Sequence, residues 1–283
     1  MENAFITEIN RIAEAGAANR SGDTVTIDGI RYCANCRKPI EIRRNVLGTE
    51  RLLPIICDCQ REEERRRKEA ARLQTLADAR RRCFSGEYTR LSTARISDAY
   101  LEHPREAGIA KRYIDRFAEF YQDQQGLLLY GPNGTGKSFL AAAICNALIE
   151  GGHDAHFATF SQIDAQTSGF KEDRRTYIES LNEYALLVLD DLGAERKSDY
   201  MQELVFTVID SRYSSGKPVI ITTNLSLQDL KNPQTAQQAR IYDRVLEICY
   251  PVEMSGASIR RKDTKRRYFE TKSKLEEGET DER

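Results

Sequence analysis

At 283 residues the chain is long enough for one sizeable α/β core with a smaller module beside it. Its 43 basic and 44 acidic side chains nearly cancel, which excludes a generally cationic nucleic-acid binder; any such surface must be local. The opening residues carry no basic run ahead of an apolar core, and no apolar stretch reaches the roughly 18 residues a membrane helix needs, so a cytoplasmic protein with no membrane partner is expected.

Residues 1–20 place Phe5, Ile6, Ile9 and Ile12 along one helical face, a pattern that suits internal packing and partner docking equally. The stretch 25–32 alternates as a strand does, and Cys33-Ala34-Asn35-Cys36 follows it. Cys57-Asp58-Cys59 comes about twenty residues later. Four thiolates in two close pairs suit one tetrahedral Zn²⁺, with Gly48 in the turn of the ribbon between them. Seven cysteines is an odd number for a disulfide framework, and the histidines, at 103, 153 and 156, lie too far along to complete a mixed site. Four ordinary buried cysteines are the alternative, but a polar module of about 60 residues has little else to hold it together.

Residues 60–82 predict a helix with scarcely any apolar stripe, carrying nine basic and five acidic side chains. Glu62/Arg66, Glu63/Arg67 and Glu64/Lys68 sit at the i,i+4 spacing that supports a solvated helix. A charged spacer is the first reading, nucleic-acid contact the second. A helix over 107–121, with Ile109, Tyr113, Ile114, Phe117 and Phe120 on one face, then leads into the most informative stretch of the chain.

That stretch is GLLLYGPNGTGKSFLAAAICNALIE, residues 126–150. An apolar run over 127–130 reads as a buried strand, a glycine-rich loop follows, and Lys137 and Ser138 open a helix. This is a P-loop in the strand–loop–helix context that it requires. Gly131, Pro132, Asn133, Gly134, Thr135 and Gly136 would curl backbone N–H groups around the phosphates of ATP. Lys137 would reach the β- and γ-phosphates, and the Ser138 hydroxyl would ligate Mg²⁺. Apolar runs at 155–160, 185–189, 219–223 and 250–254 alternate with helical patterns, which predicts an α/β fold: a parallel five-stranded sheet flanked by helices. The run 185–189 ends in Asp190 and Asp191. Asp190 would hold Mg²⁺ through its waters and Asp191 would orient or deprotonate the attacking water, whereas capping the next helix is their plainer use. The expected domains are a zinc module at 1–60, a charged helical linker at 61–106, an ATPase domain at 107–270 and an acidic disordered tail at 271–283.

The segments GPNGTGKSFLAAAICNALI, LLVLDDLGAE, ITTNLS, RIYDRV and SGASIR, spread over about 85–268, resemble those of AAA+ ATPases of the DnaC/DnaI type. These are bacterial and phage replicative helicase loaders, with the IstB transposition ATPases as close relatives. The Cys-rich head followed by a charged helix is similar to their amino-terminal helicase-binding module. Asp191 departs from the wider AAA+ pattern, where many members carry Glu. The resemblance implies that Asn224 acts as sensor 1, polarising the water or the γ-phosphate, and that Arg260 reaches the phosphates of its own subunit as sensor 2. It implies that Arg244 reaches those of a neighbour in a homo-oligomer, with Arg240 as the rival; an ion pair with Asp243 or Glu247 is the plainer use of Arg244. Residues 161–175 fall where such loaders contact single-stranded DNA, so Phe170 would stack on a base while Lys171, Arg174 and Arg175 meet phosphates; a solvated charged loop is the equal alternative. The implied activity is ATP-dependent loading of a DnaB-type replicative helicase onto single-stranded DNA. An IstB-like regulator of a transposase and a non-hydrolysing ATP- and DNA-binding adaptor are the alternatives.

Overall fold

The computed structural model describes residues 24–84, 86–167, 171–194, 198–256 and 258–276. They fall in two compact units, Met1–Thr75 and Leu76–Arg283. The helix expected over 1–20 and the end of the expected tail, 277–283, lie outside the described residues.

The first unit contains two antiparallel hairpins, β1 (Thr24–Ile27) with β2 (Ile30–Cys33) and β3 (Glu41–Val46) with β4 (Thr49–Pro54). The stretch 25–32, expected as one strand, is therefore a strand that turns back on itself. Asp28 and Gly29 take φ values of 51° and 73°, the paired left-handed conformation of a tight hairpin turn, and Asp-Gly is the sequence that suits it. Leu47 and Gly48 make the second turn in the same way, at the expected glycine. Among the described residues of this unit only Ile40 and Cys57 are buried. Ile40 is bound on both sides: its N–H donates to the Arg31 carbonyl at 2.8 Å, and its carbonyl accepts from the Ile55 N–H at 2.9 Å. A core this small needs a second source of stability.

The helix Asp58–Cys83 follows. Arg66–Glu62 (3.2 Å), Arg67–Glu63 (2.9 Å) and Lys68–Glu64 (2.7 Å) form ion pairs at the three expected positions. Because all are exposed, each contributes only a few tenths of a kcal/mol, roughly. The boundary between the units falls inside this helix, so residues 76–106, expected as linker, belong to the second unit. Cys83, Phe84, Ala94 and Ala99 are buried in its core, which a solvated spacer would not allow. The 3-10 helix Gly86–Thr93 lies against the helix Lys137–Glu150, whose Asn146 Nδ2 donates to the Leu91 and Ala94 carbonyls, both at 3.0 Å.

The second unit is built on β5 (Gly126–Tyr130), β6 (Ala155–Thr159), β7 (Leu186–Leu192), β8 (Val219–Thr223) and β9 (Cys249–Glu253). They form the expected five-stranded parallel sheet, in the order β6-β7-β8-β5-β9. Side chains alternate between two cores as the pleat requires. Leu127, Leu129, Val188 and Ile220 face the core that includes Lys137–Glu150, and Leu128, Leu187, Leu189 and Ile221 face the core with the helices Asp199–Ser214 and Ala236–Ile248. Burial on both faces explains why the strands read as nearly unbroken apolar runs. Strand β8 enters between β5 and β7, so the chain segments leaving these three strands stand side by side at one end of the sheet.

Two boundaries differ from expectation. The helix over 107–121 is two helices, Pro104–Asp115 and Phe117–Gln122, broken at Arg116 (φ −115°, ψ 23°). The break returns Phe120 onto Tyr113 at 4.9 Å and sets Phe117 edge-on to it at 5.8 Å. The last helix, Ile259–Glu276, runs past the expected boundary at 270, so residues 271–276 are helical and not tail. One core residue carried no sequence signal. Arg212 is 1% exposed and donates to four backbone carbonyls, Pro218 (2.7 Å), Tyr184 (3.1 Å), Ala185 (3.2 Å) and Leu181 (3.4 Å). Burial lowers its pKa to about 10, and the carbonyl oxygens stand in for the water it has lost.

Candidate nucleotide and metal sites

The glycine-rich loop connects β5 to the helix Lys137–Glu150. Gly131, Gly134 and Gly136 all have positive φ, at 141°, 83° and 91°, the backbone form that turns successive N–H groups toward one point. Glycine is also needed sterically, because a Cβ at 131 would collide with the Met254 carbonyl and one at 134 with the Ser258 hydroxyl. Thr135 is fully buried, and its hydroxyl donates to the Pro132 carbonyl at 3.0 Å, bracing the loop from inside. A lysine in a surface loop is expected to be exposed, yet Lys137 is only 5% exposed. Its Nζ donates to the Gly131 carbonyl (2.8 Å), the Pro132 carbonyl (2.8 Å) and Asn224 Oδ1 (2.7 Å). The ammonium is thus held at the centre of the loop, and Asn224, at the end of β8, touches it directly.

Asp190, at 2% exposure, occupies the end of β7 beside this loop. Its Oδ1 accepts from the Thr222 hydroxyl at 2.7 Å, and the Ser138 and Tyr88 hydroxyls also hydrogen-bond the carboxylate. Burial above all, then the charge of Asp191, pushes the Asp190 carboxyl above its ordinary range against the pull of those hydroxyls. The two aspartates sit on a β-bulge: Leu189 pairs with Ile221 and Leu192 with Thr223, so two residues of β7 oppose Thr222 alone. The bulge places Asp191 at φ 60°, a left-handed conformation costing about 1–2 kcal/mol in a residue other than glycine. Thr222 holds the distortion, since its hydroxyl also accepts from the Asp191 N–H at 2.9 Å. The Ser138 hydroxyl and the Asp190 carboxylate, two hard oxygen donors in hydrogen-bonding reach of each other, fit Mg²⁺. Sequence reasoning missed both Thr222 and Tyr88. Thr222 reads as an ordinary β-branched strand residue, and Tyr88 lies in what read as linker.

The arginines divide. Arg244, on Ala236–Ile248, pairs with Asp210 at 2.7 Å and lies over the Phe206 ring at 4.7 Å and the Tyr213 ring at 5.7 Å, all residues of Asp199–Ser214. Its ionic partner is thus Asp210 and neither Asp243 nor Glu247; Glu247 instead accepts from the Tyr213 hydroxyl at 2.9 Å. Arg240, one turn earlier, is exposed. Arg174 lies over the Tyr200 ring at 4.7 Å, and the Tyr200 hydroxyl donates to Asp164 at 2.9 Å. Arg175 pairs with Glu179 at 2.7 Å. Phe170 lies outside the described residues, as do the side chains of Lys171 and Arg260.

In the first unit Cys33, Cys36, Cys57 and Cys59 converge, with all four sulfurs within 4.8 Å of one another. A tetrahedral zinc with Zn–S bonds of about 2.3 Å sets its sulfurs about 3.8 Å apart, so the donor set and its spread fit the metal. The backbone shapes each half. The Cys33 N–H donates to the Lys38 carbonyl and the Arg37 N–H to the Cys33 carbonyl, making a knuckle, while Cys57 and Cys59 flank the start of the helix Asp58–Cys83. The Cys36 backbone N–H, followed by the Cys59 thiol, lowers Cys33 to about 6, whereas hydrogen bonds to the Cys57 and then the Cys33 sulfur raise Cys59 to about 12, so metal binding must displace that proton.

A parallel sheet with a P-loop at one strand, tandem aspartates at another and a polar residue on the strand between them defines a P-loop nucleotide-binding domain of the AAA+ class. Residues 71–267 match the IstB-like ATP binding protein family, and the chain belongs to that family. It is 29% identical to the replicative helicase loader DnaI of Bacillus subtilis over 165 residues, covering 53% of each chain. Over 125 residues it is 30% identical to the replicative helicase loader DnaC of Escherichia coli, covering 43% of this chain and 50% of that one. An insertion-sequence ATP-binding protein of Mycobacterium tuberculosis is 28% identical over 143 residues, 48% of this chain and 56% of the other. The chain thus spans about half the length of the curated relatives it matches. A crystal structure of DnaI shares the fold, with a TM-score of 0.50 at 24% identity, covering 60% of this chain and 92% of that one.

Proposed function

We propose that this protein is a cytoplasmic ATPase that loads a DnaB-type replicative helicase onto single-stranded DNA. The observation that carries the reading is the joining, in one chain, of a four-cysteine module to an IstB-family domain whose relatives include loaders. In this reading the loop and Lys137 hold ATP, and Ser138 and Asp190 hold Mg²⁺, which supplies a Lewis acid at the phosphates. Asp191 and Asn224 position the attacking water, and Arg260 reaches the phosphates of its own subunit. Zn²⁺ on the four cysteines stabilises the head, which grips the helicase. Chains assemble on DNA so that Arg244 completes the neighbour's site; it must first leave Asp210, whereas Arg240 is already exposed. Phe170, Lys171 and Arg174 line the DNA path, and Arg174 would exchange the Tyr200 ring for a phosphate.

The insertion-sequence relative favours a second reading, a regulator of a transposase. Reconstitution separates the two. The full chain, mixed with a DnaB-type helicase, ATP and circular single-stranded DNA, should form a stable complex with the helicase and raise the amount retained on DNA. ATP turnover without helicase binding would remove the loader reading and leave the second. DNA and helicase binding with no turnover would reduce the protein to an adaptor.

A further inference from the structure

We propose that His103 contacts the nucleoside half of the bound nucleotide, its Nε2 accepting a hydrogen bond from a ribose hydroxyl or from the exocyclic amine of the base. The inference rests on nucleotide binding at the glycine-rich loop. His103 is 9% exposed, and its Nε2 has no hydrogen-bond partner among the described residues. A buried ring nitrogen left unpaired is costly, so it is kept where a ligand supplies the partner. The side chain makes no capping bond to the helix Pro104–Asp115 that begins next to it. It turns to the loop instead. Its Cδ2 and Nε2 stand 3.8 and 3.9 Å from the point where a Gly136 Cβ would lie, and its Cε1 stands 3.8 Å from the corresponding point at Gly256. Ile259 Cδ1 approaches the same Gly136 position to 3.2 Å. An apolar wall with one aimed polar atom is the make-up of a base or sugar subsite.

The charge nearby argues against a phosphate at this place. Glu106, 8% exposed, has its Oε2 3.9 Å from His103 Nδ1, and a buried carboxylate disfavours a second anion beside it. Phosphates belong with Lys137 and the loop amides. With the carboxylate on the Nδ1 side, the tautomer that carries its proton there leaves Nε2 as an acceptor. An acceptor needs a donor, which the triphosphate chain lacks and the nucleoside has.

Calorimetric titration of the full chain decides the matter. Wild type, His103→Leu and His103→Gln are titrated with ATP, 2′-deoxy-ATP, 3′-deoxy-ATP and the triphosphate of purine riboside, which lacks the 6-amino group. His103→Leu should bind ATP about tenfold more weakly, and His103→Gln, whose amide oxygen is still an acceptor, should stay near wild type. The analogue that lacks the true donor should bind wild type and His103→Leu alike, which identifies that donor. Should His103→Leu not fold, the ¹⁵N resonance of Nε2 in the wild type still reads the contact: it should move with ATP and not with that analogue. Wild type that binds ATP while His103→Leu binds it within twofold overturns the proposal and leaves the nucleotide site standing. An equal loss across ATP and every analogue overturns it too, because His103 would then act by packing the loop. Wild type that binds no nucleotide overturns the loop assignment, and this inference with it.

Discussion

Lys137→Ala tests the nucleotide site where its parts meet. The ammonium satisfies the Gly131 and Pro132 carbonyls and Asn224 Oδ1 at 2.7–2.8 Å while only 5% exposed, so its loss leaves the Gly131 carbonyl and Asn224 Oδ1 without a donor, while Pro132 keeps the Thr135 hydroxyl. A buried group left unpaired costs about 1–3 kcal/mol. Asn224 is exposed, so water can replace the amine there, and only the carbonyl of buried Gly131 goes unpaired. The expected loss is therefore about 1–2 kcal/mol, a Tm lower by about 2–8 °C, and the fold survives. Nucleotide binding should suffer more. In the wild type the amine exchanges neutral acceptors for phosphate oxygens, and hydrogen bonds between charged groups are about twice as strong as neutral ones. Two such contacts are worth about 2–4 kcal/mol in net terms, so affinity for Mg-ATP should fall about 30- to 1000-fold. Calorimetric titration measures this directly. Thermal melts provide a second reading: ATP at about 100 times the wild-type Kd should add about 2.7 kcal/mol of stability to the wild type and about 0.1–0.9 kcal/mol to the variant. A folded Lys137→Ala protein that binds ATP as tightly as the wild type would refute the placement of phosphates in this loop.

Asp190→Asn should separate stability from function. Burial raises the folded-state pKa of Asp190, so its contribution to stability is present below the unfolded pKa and lost as pH rises through the folded one. At neutral pH the neutral amide should raise the Tm of the nucleotide-free protein while removing Mg²⁺-dependent stabilisation by ATP; a lower Tm would contradict the expectation. The head should carry one zinc per chain, and chelation should unfold it while Leu76–Arg283 melts as before; under a few tenths of an equivalent in reduced, untagged protein would leave these as ordinary cysteines. Arg244→Ala should keep ATP binding, lose DNA-stimulated hydrolysis by about a thousandfold, and regain part of it when mixed with Lys137→Ala chains. Full activity in Arg244→Ala would assign Arg244 to its Asp210 pair alone and point to Arg240 as the finger.

Motifs and periodicities whose physics is local were legible in the sequence. The P-loop can be read because glycines, lysine and serine must stand in that order for backbone amides to surround a phosphate, and the structure gives Gly131, Gly134 and Gly136 the positive φ this implies. The five strands can be read because parallel strands buried on both faces must be apolar throughout. The ion pairs of Asp58–Cys83 can be read because i,i+4 neighbours meet in any helix. Even the first hairpin was written in Asp28-Gly29, although the alternation around it looks like one strand. Tertiary structure decided the rest, because those contacts join residues far apart in the chain. Asn224 meets Lys137 only because β8 lies beside β5, and Thr222 holds the Asp190–Asp191 bulge only because β8 also lies beside β7. Residues 84–106 look like spacer until the helix Lys137–Glu150 offers a surface to cover, at which point burial outweighs the polar composition of the segment. Arg212 illustrates the limit most plainly: a guanidinium belongs in a core only where several unpaired carbonyls converge, and no pattern along the chain announces where strand ends and loops will bring them together.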